Sequence, residues 1–321
     1  MPLSEFTLIE RYFRNCGAQR ADVLAGVGDD AALLAPAADA ELVAATDTLV
    51  EDVHFPAGSP AASIGHRALA VNLSDLAAMG ARPAWALLAL TLPSVDETWL
   101  AEFAAGLGSL ARAHGVALVG GDTTRGPLTI TVQLLGHVPR GAALRRGGAQ
   151  AGDLLFVSGT PGDAAAGLAL EQGRLSAPAE AQAYLRERFL YPVPRMALGE
   201  RLRGHASACI DVSDGLLGDA GKLATASRAG VEIDFEAVPV SEALAATLGA
   251  ERARELALTG GDDYELCFAV PPSRLAALGA ELPAQRWGYQ CIGRVRAAPG
   301  AQVLRAGTVM EFSHSGFEHF A

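Results

Sequence analysis

The apolar residues of this chain switch repeatedly between the alternation of a strand and the three-to-four spacing of a helix, and that switching restricts the fold to mixed helix and sheet. Phe6, Ile9 and Phe13 fall at helical spacing behind Ser4, a suitable N-cap. Residues 41–46 read as a buried strand running into Thr46-Asp47-Thr48, and residues 63–79 as a long, largely apolar helix. A strand over 84–92, a helix over 95–114 and a short strand over 116–119 follow, the last ending in Gly120-Gly121-Asp122. Residues 127–138 alternate, with Ile130, Val132 and Leu134 on one side and Thr129, Thr131 and Gln133 on the other. Residues 139–153 are rich in Gly and Arg and lose periodicity, so a domain boundary is expected there, between domains spanning 1–140 and 150–321. The second half restarts with a strand over 154–158, helices over 164–171 and 179–189, a strand over 207–212 and a helix over 215–228. Both halves read as α/β or α+β, and 321 residues suit two domains of about 150 each.

Composition narrows the function. A formal net charge of −11 argues against nucleic-acid binding, which needs a basic face to neutralise phosphates. Lys222 is the only lysine, and Leu223 after it breaks the ending that a P-loop requires. An acidic chain that handles anions must borrow positive charge from metal ions or a few placed arginines. Cys16, Cys209, Cys267 and Cys291 form no CxxC pair, so a reduced, cytoplasmic protein with buried thiols is expected, without zinc. The first residues lack the basic and apolar regions of a signal peptide, and no apolar run reaches the ~18 residues of a membrane span.

Six short stretches combine Asp with Gly, small or hydroxyl residues: Gly28-Asp29-Asp30-Ala31, Thr46-Asp47-Thr48, Asn72-Leu73-Ser74-Asp75, Gly120-Gly121-Asp122-Thr123, Asp211-Val212-Ser213-Asp214-Gly215 and Gly260-Gly261-Asp262-Asp263-Tyr264. Any one of them serves equally as a turn or helix cap. Asp75 is different, because it lies inside an apolar helical pattern where an unpartnered carboxylate is costly. As a set, with Asp47, Asp122 and Asp211 at or near apparent strand ends, they read as oxygen ligands for magnesium at a phosphate site. Glycine amides and hydroxyls can hold phosphate oxygens, and phosphoryl transfer needs positioning and electrostatics rather than a covalent nucleophile. No GxSxG or HExxH motif offers another chemistry. His54 follows one candidate stretch closely, while His314 and His319 read as structural or surface residues.

The stretches GVGDDAALL (26–34), ATDTLVEDVHF (45–55), ALAVNLSDLAAMGARP (68–83), LVGGDTTRGPLTIT (118–131), SGTPGDAAAGLAL (158–170), IDVSDGLLGDAGKL (210–223) and LTGGDDYELCF (258–268) together resemble the thiamine-monophosphate kinase family. That family belongs to the superfamily of ATP-binding enzymes related to aminoimidazole ribonucleotide synthetase. The resemblance implies a two-domain, PurM-like α/β (α+β) fold. It implies an N-terminal domain that binds ATP and magnesium, with strands forming a barrel-like homodimer interface, and a C-terminal α/β domain. It also implies direct transfer of the γ-phosphoryl of ATP to thiamine phosphate, giving thiamine diphosphate, with several Mg2+ ions. Under it, Asp30, Thr46, Asp47, Asp75, Asp122, Asp211 and Asp214 are expected metal ligands. Gly121, Asp122, Arg146 and Ser213 are expected ATP contacts, and His54, Asp262 and Phe317 are expected contacts to thiamine phosphate. Ala45 stands where the family often has a hydroxyl residue, and Asp262 where Glu is usual, which keeps the charge at shorter reach. Two other readings stay open from the residues: another enzyme of the superfamily, and a non-catalytic nucleotide- or metal-binding module.

Overall fold

The computed structural model describes residues 4–319. They divide into two compact units: the described chain through Leu76 with Ala81–Gly141, and Ala77–Gly80 with the described chain from Ala142 onward.

In the first unit the Ser4 hydroxyl accepts the Thr7 amide and caps α1 (Glu5–Leu8), which continues as a π-helical turn over Ile9–Phe13. The π spacing explains why Leu8 and Phe13, five apart, form the buried face while Phe6 is 81% exposed. Next come β1 (Val23–Ala25), β2 (Leu33–Leu34), β3 (Ala40–Val50), α2 (Ala61–Ala78), β4 (Arg82–Leu92), α3 (Glu97–Ala113), β5 (Ala117–Arg125) and β6 (Thr129–Pro139). The last four strands form one sheet in the order β3-β6-β4-β5. β4 and β5 are parallel, as their crossover through α3 requires, and the other pairs are antiparallel. Leu69 of α2 and Leu107 of α3 meet Ala86, Leu88, Leu118 and Val132 on one face of this sheet. On the other face Trp85 and Val119 pack with Val23 and Leu34. Residues 41–46 of β3 differ from their expected buried character: they alternate between half-buried and exposed, because β3 is an edge strand.

The second unit holds β7 (Leu154–Ser158), α4 (Asp163–Glu171), α5 (Ala179–Leu190), α6 (Met196–Leu202), β8 (Ala208–Val212), α7 (Leu216–Ala226), β9 (Gly230–Asp234), α8 (Glu242–Leu248), α9 (Ala250–Thr259), β10 (Glu265–Val270), α10 (Leu275–Glu281), α11 (Ala284–Trp287), β11 (Tyr289–Arg296), β12 (Gly300–Arg305) and β13 (Thr308–Met310). Its seven-stranded sheet runs β13-β12-β9-β11-β7-β10-β8, with only the β12–β9 pair parallel. Leu216, Ala220 and Leu223 of α7 bury one helical face against Val157, Ile210, Val231 and Ile233 of that sheet. Three of the four thiols are buried and Cys291 is exposed, in part a departure from the expectation of four buried cysteines. No helix among the described residues is long and apolar enough to cross a membrane.

The helices α2 and α3 touch backbone to backbone. A Cβ on Gly65 would lie 2.1 Å from the Phe103 carbonyl oxygen, and one on Gly106 would lie 1.9 Å from that of Ala62. Alanine at position 106 gains about 1 kcal/mol of helix propensity, yet the helices must separate to admit the methyl group, which typically costs about 1–3 kcal/mol. Gly106→Ala is therefore expected to lower the urea midpoint of unfolding, and an unchanged or raised midpoint would contradict this packing.

Candidate active site

In the first unit Asp47 lies within β3, opposite Val132 of β6, and Thr46 donates its hydroxyl to the Val132 carbonyl at 3.2 Å. Asp75 projects from α2 and its carboxyl hydrogen-bonds that of Asp47. Burial pushes the Asp47 carboxyl above the ordinary carboxylate range, and the bond from Asp75 only partly offsets that. Two abutting carboxyl groups need either a shared proton or a cation between them. The inference from Asp75 alone, that a carboxylate in an apolar helix wants such a partner, thus meets a second carboxylate.

Asp122 is placed otherwise. It is an exposed residue in the middle of β5, and its Oδ1 accepts the Thr123 amide at 3.0 Å. Neither Asp47 nor Asp122 ends a strand, contrary to the sequence reading, because β3 and β5 both run several residues past their motifs. β3 and β5 are the two edges of the sheet, three interstrand spacings or about 14 Å apart. Asp30 is exposed in the loop after Gly28, where Asp29 accepts its amide at 2.8 Å. The His54 Nδ1 accepts the Val50 amide at 3.0 Å, which puts the proton of the neutral ring on Nε2.

The second unit gathers Ser213, Asp214, Asp262 and Phe317 through backbone bonds. The Asp262 amide donates to the Ser213 carbonyl at 2.7 Å, and the Phe317 amide to that of Asp214 at 2.9 Å. Phe317 is 51% exposed, so it is not a core residue. Asp211, the penultimate residue of β8, is 4% exposed. Sequence reasoning missed Asp219. From the first turn of α7 its Oδ2 accepts the amides of Ser213 (3.0 Å), Asp214 (3.0 Å) and Gly215 (3.2 Å). Burial raises its carboxyl, and Lys222 works against that. The lone lysine bridges Asp214 (2.5 Å) and Asp219 (2.8 Å). An acid in a helix's first turn was the available signal. The main chain of Arg146 is at the other end of α7. Its carbonyl accepts the Ser227 hydroxyl at the far end of α7, about 16 Å away along an eleven-residue helix.

A buried charge network backs the 260–265 loop. Asp163 accepts hydroxyls from Thr160 (2.5 Å), Ser241 (2.6 Å) and Tyr184 (3.1 Å). Glu265 is ion-paired with Arg188 and Arg195.

Two family profiles match the chain: AIR synthase related protein, N-terminal domain, over residues 28–138, and its C-terminal domain over residues 150–305. Thiamine-monophosphate kinase of Salmonella typhimurium is 47% identical over 323 residues, covering 100% of this chain and 99% of the relative. The chain belongs to the thiamine-monophosphate kinase family. The crystal structure of the Stenotrophomonas maltophilia K279a kinase superposes with a TM-score of 0.86 at 49% identity, covering 94% of this chain and 97% of its own. The structure of AaThiL complexed with AMPPCP and TMP superposes with a TM-score of 0.78 at 33% identity, covering 92% of each chain. The two-domain α/β, PurM-like architecture expected from the family's motifs is the one observed. Its signature GGDDYEL divides its acids: Asp263 and Glu265 are buried in the charge network, and Asp262 is half-buried beside Ser213.

Burial raises the Glu265 carboxyl, but Arg195, Arg188 and the Ser158 hydroxyl more than reverse this and hold it below its ordinary 4.5. A carboxylate with a depressed native pKa contributes stability above its unfolded value and loses it as pH falls through the native value. The difference in urea midpoint between wild type and Glu265→Gln is expected to be constant from neutrality to roughly pH 5 and to close below that. A gap that widens on acidification would refute the pairing.

Proposed function

We propose that the protein transfers the γ-phosphoryl group of ATP directly to thiamine phosphate, giving thiamine diphosphate, in the cytoplasm and as a homodimer. The full-length kinship at 47% identity carries this reading, and the family's motifs run the length of this chain with Ala45 and Asp262 as the departures. The binding of AMPPCP and TMP by AaThiL supports the pair of substrates.

The residues fit magnesium. Asp47 and Asp75 present hard oxygen donors already in contact, a pairing that a divalent cation would stabilise. Asp30, Thr46, Asp122, Asp211 and Asp214 are the other residues that would hold such ions. Bound magnesium would neutralise phosphate oxygens that an acidic chain otherwise repels. Among the described residues no group of three metal-binding side chains converges. The chain's own part in the reaction is positioning. Gly121, Asp122, Arg146 and Ser213 are assigned to ATP. The Ser213 turn is held by Asp219, which takes its three amides, so the Ser213 hydroxyl is the group this fixed turn would offer to phosphate. His54, Asp262 and Phe317 are assigned to thiamine phosphate, with Asp262 facing its cationic ring and Phe317 offering an aromatic face.

The assay is direct. With ATP and magnesium, thiamine phosphate is expected to be phosphorylated, while thiamine and aminoimidazole precursors are not. Phosphorylation of a different acceptor instead would overturn the assignment, and a kinetically competent phosphoenzyme would overturn direct transfer.

The positions of β3 and β5 at the two edges of the sheet support the homodimer reading. Two carboxylate oxygens on one magnesium lie within about 4 Å of each other, far less than the separation of β3 and β5. Asp47 and Asp122 would be brought to one phosphate group where β3 of one copy approaches β5 of another. Asp47→Ala and Asp122→Ala are each expected to abolish activity while folding normally. Mixed after unfolding and refolding together, they should regain roughly a quarter of wild-type activity, because half the dimers then carry one intact site of two. No recovery would place both residues in sites within one copy.

A further inference from the structure

The three acids of the GGDDYEL stretch have different surroundings. Asp263 is 1% exposed, and its carboxylate accepts the amides of Gly162 at 2.6 Å and Ala164 at 3.2 Å, at the start of α4. Glu265 is 0% exposed and accepts two bonds from Arg195 at 2.5 Å, one from Arg188 at 2.8 Å and one from the Ser158 hydroxyl at 2.6 Å. A Cβ on Gly159 would lie 2.0 Å from Glu265 Oε1, so that neighbour must be glycine. Around these anchors the backbone is left-handed at two non-glycine residues, Asp262 (φ 72°) and Tyr264 (φ 53°). Such residues cost about 1–3 kcal/mol each and persist only where the surroundings over-determine them. Here the Asp262 and Tyr264 amides are tied to the carbonyls of Ser213 (2.7 Å) and Val212 (2.8 Å), and the Tyr264 hydroxyl donates to Asp262 Oδ1 at 3.1 Å.

Stability alone does not account for this arrangement. Replacing a buried ion pair with apolar residues of similar volume is often neutral or stabilising, so a hydrophobic anchor would have served the fold. Glu265 is fixed by its ion pairs and Asp263 by two backbone amides, and the two left-handed residues lie beside and between these anchors. We propose that Asp263 and Glu265 are positioning residues for the acceptor: they hold the strained Asp262–Tyr264 turn so that the Asp262 carboxylate meets the cationic part of thiamine phosphate. The inference rests on the reading of Asp262 as a substrate contact.

Asp263→Asn keeps the shape but turns an amide N–H2 toward one of the two backbone donors, loosening the anchor. Steady-state kinetics is expected to show KM for thiamine phosphate raised about tenfold, kcat within about threefold, and KM for ATP unchanged. Asp262→Ala should raise the same KM by a similar factor. The double variant should be no worse than Asp262→Ala, because an anchor cannot position a carboxylate that is missing. Multiplying effects in the double variant would assign Asp263 to packing and overturn the inference. So would a raised KM in Asp262→Ala with none in Asp263→Asn. An unchanged KM in Asp262→Ala would instead remove the substrate reading beneath it. Should Asp263→Asn fail to fold, Arg195→Lys takes its place under the same criteria. It keeps the charge but loses the two-pronged grip on Glu265.

Discussion

The contact between Asp47 and Asp75 constrains the first unit more than any other. It joins an edge strand to the main helix through two groups that repel when both are ionised. α2 is otherwise made to be buried: Leu69, Leu73, Leu76 and Ala77 are all at or below 1% exposure. Asp75 is instead a half-buried carboxylate beside that face, and burial shifts its partner Asp47 toward the neutral form. A cation bound there would relieve both penalties at once, and would link metal binding to the stability of the α2–β3 contact.

The second unit solves the opposite problem. Its Ser213-Asp214-Gly215 turn presents amides that would attract any anion, and the protein supplies one of its own, the Asp219 carboxylate, from below. Lys222 then balances Asp219 and reaches Asp214 as well. In a chain with one lysine, that lysine is spent on holding two carboxylates of the turn rather than on a phosphate. The absence of a P-loop ending after Gly221 and the ion pairs of Lys222 are thus two sides of the same arrangement.

Much of this was legible in the sequence wherever a local pattern carries the information. The β6 alternation, the apolar run of α2 and the aperiodic stretch after Pro139 each reflect a short-range period, and each has its counterpart in the structure. Asp75 stood out for the same reason, as a charge that broke a local rule. What escaped was set by distant pairing. β3 and β5 continue through their Asp motifs because β6 and β4 supply backbone partners for residues as polar as Thr46-Asp47-Thr48 and Asp122-Thr123-Thr124. Arg188 and Arg195 meet Glu265 across 77 and 70 positions of sequence, and nothing in their own neighbourhoods marks them. Asp219 resembles any helix-surface acid until the turn before it folds back over its carboxylate.

The Asp-rich stretches therefore divide by what their carboxylates face. Asp219, Asp263 and Glu265 are spent inward, on amides, guanidinium groups and a lysine, and they fix the shape of their turns. Asp30 and Asp122 remain exposed, and Asp262 is half-buried on its strained turn. A motif of adjacent acids such as Asp262-Asp263 can then do two jobs with one residue type. The backbone turns the Asp263 side chain into the core as an anchor and leaves that of Asp262 half-buried. Substituting one for the other by composition would miss this, since the same change of charge removes a buried anchor at position 263 and a half-buried carboxylate at position 262.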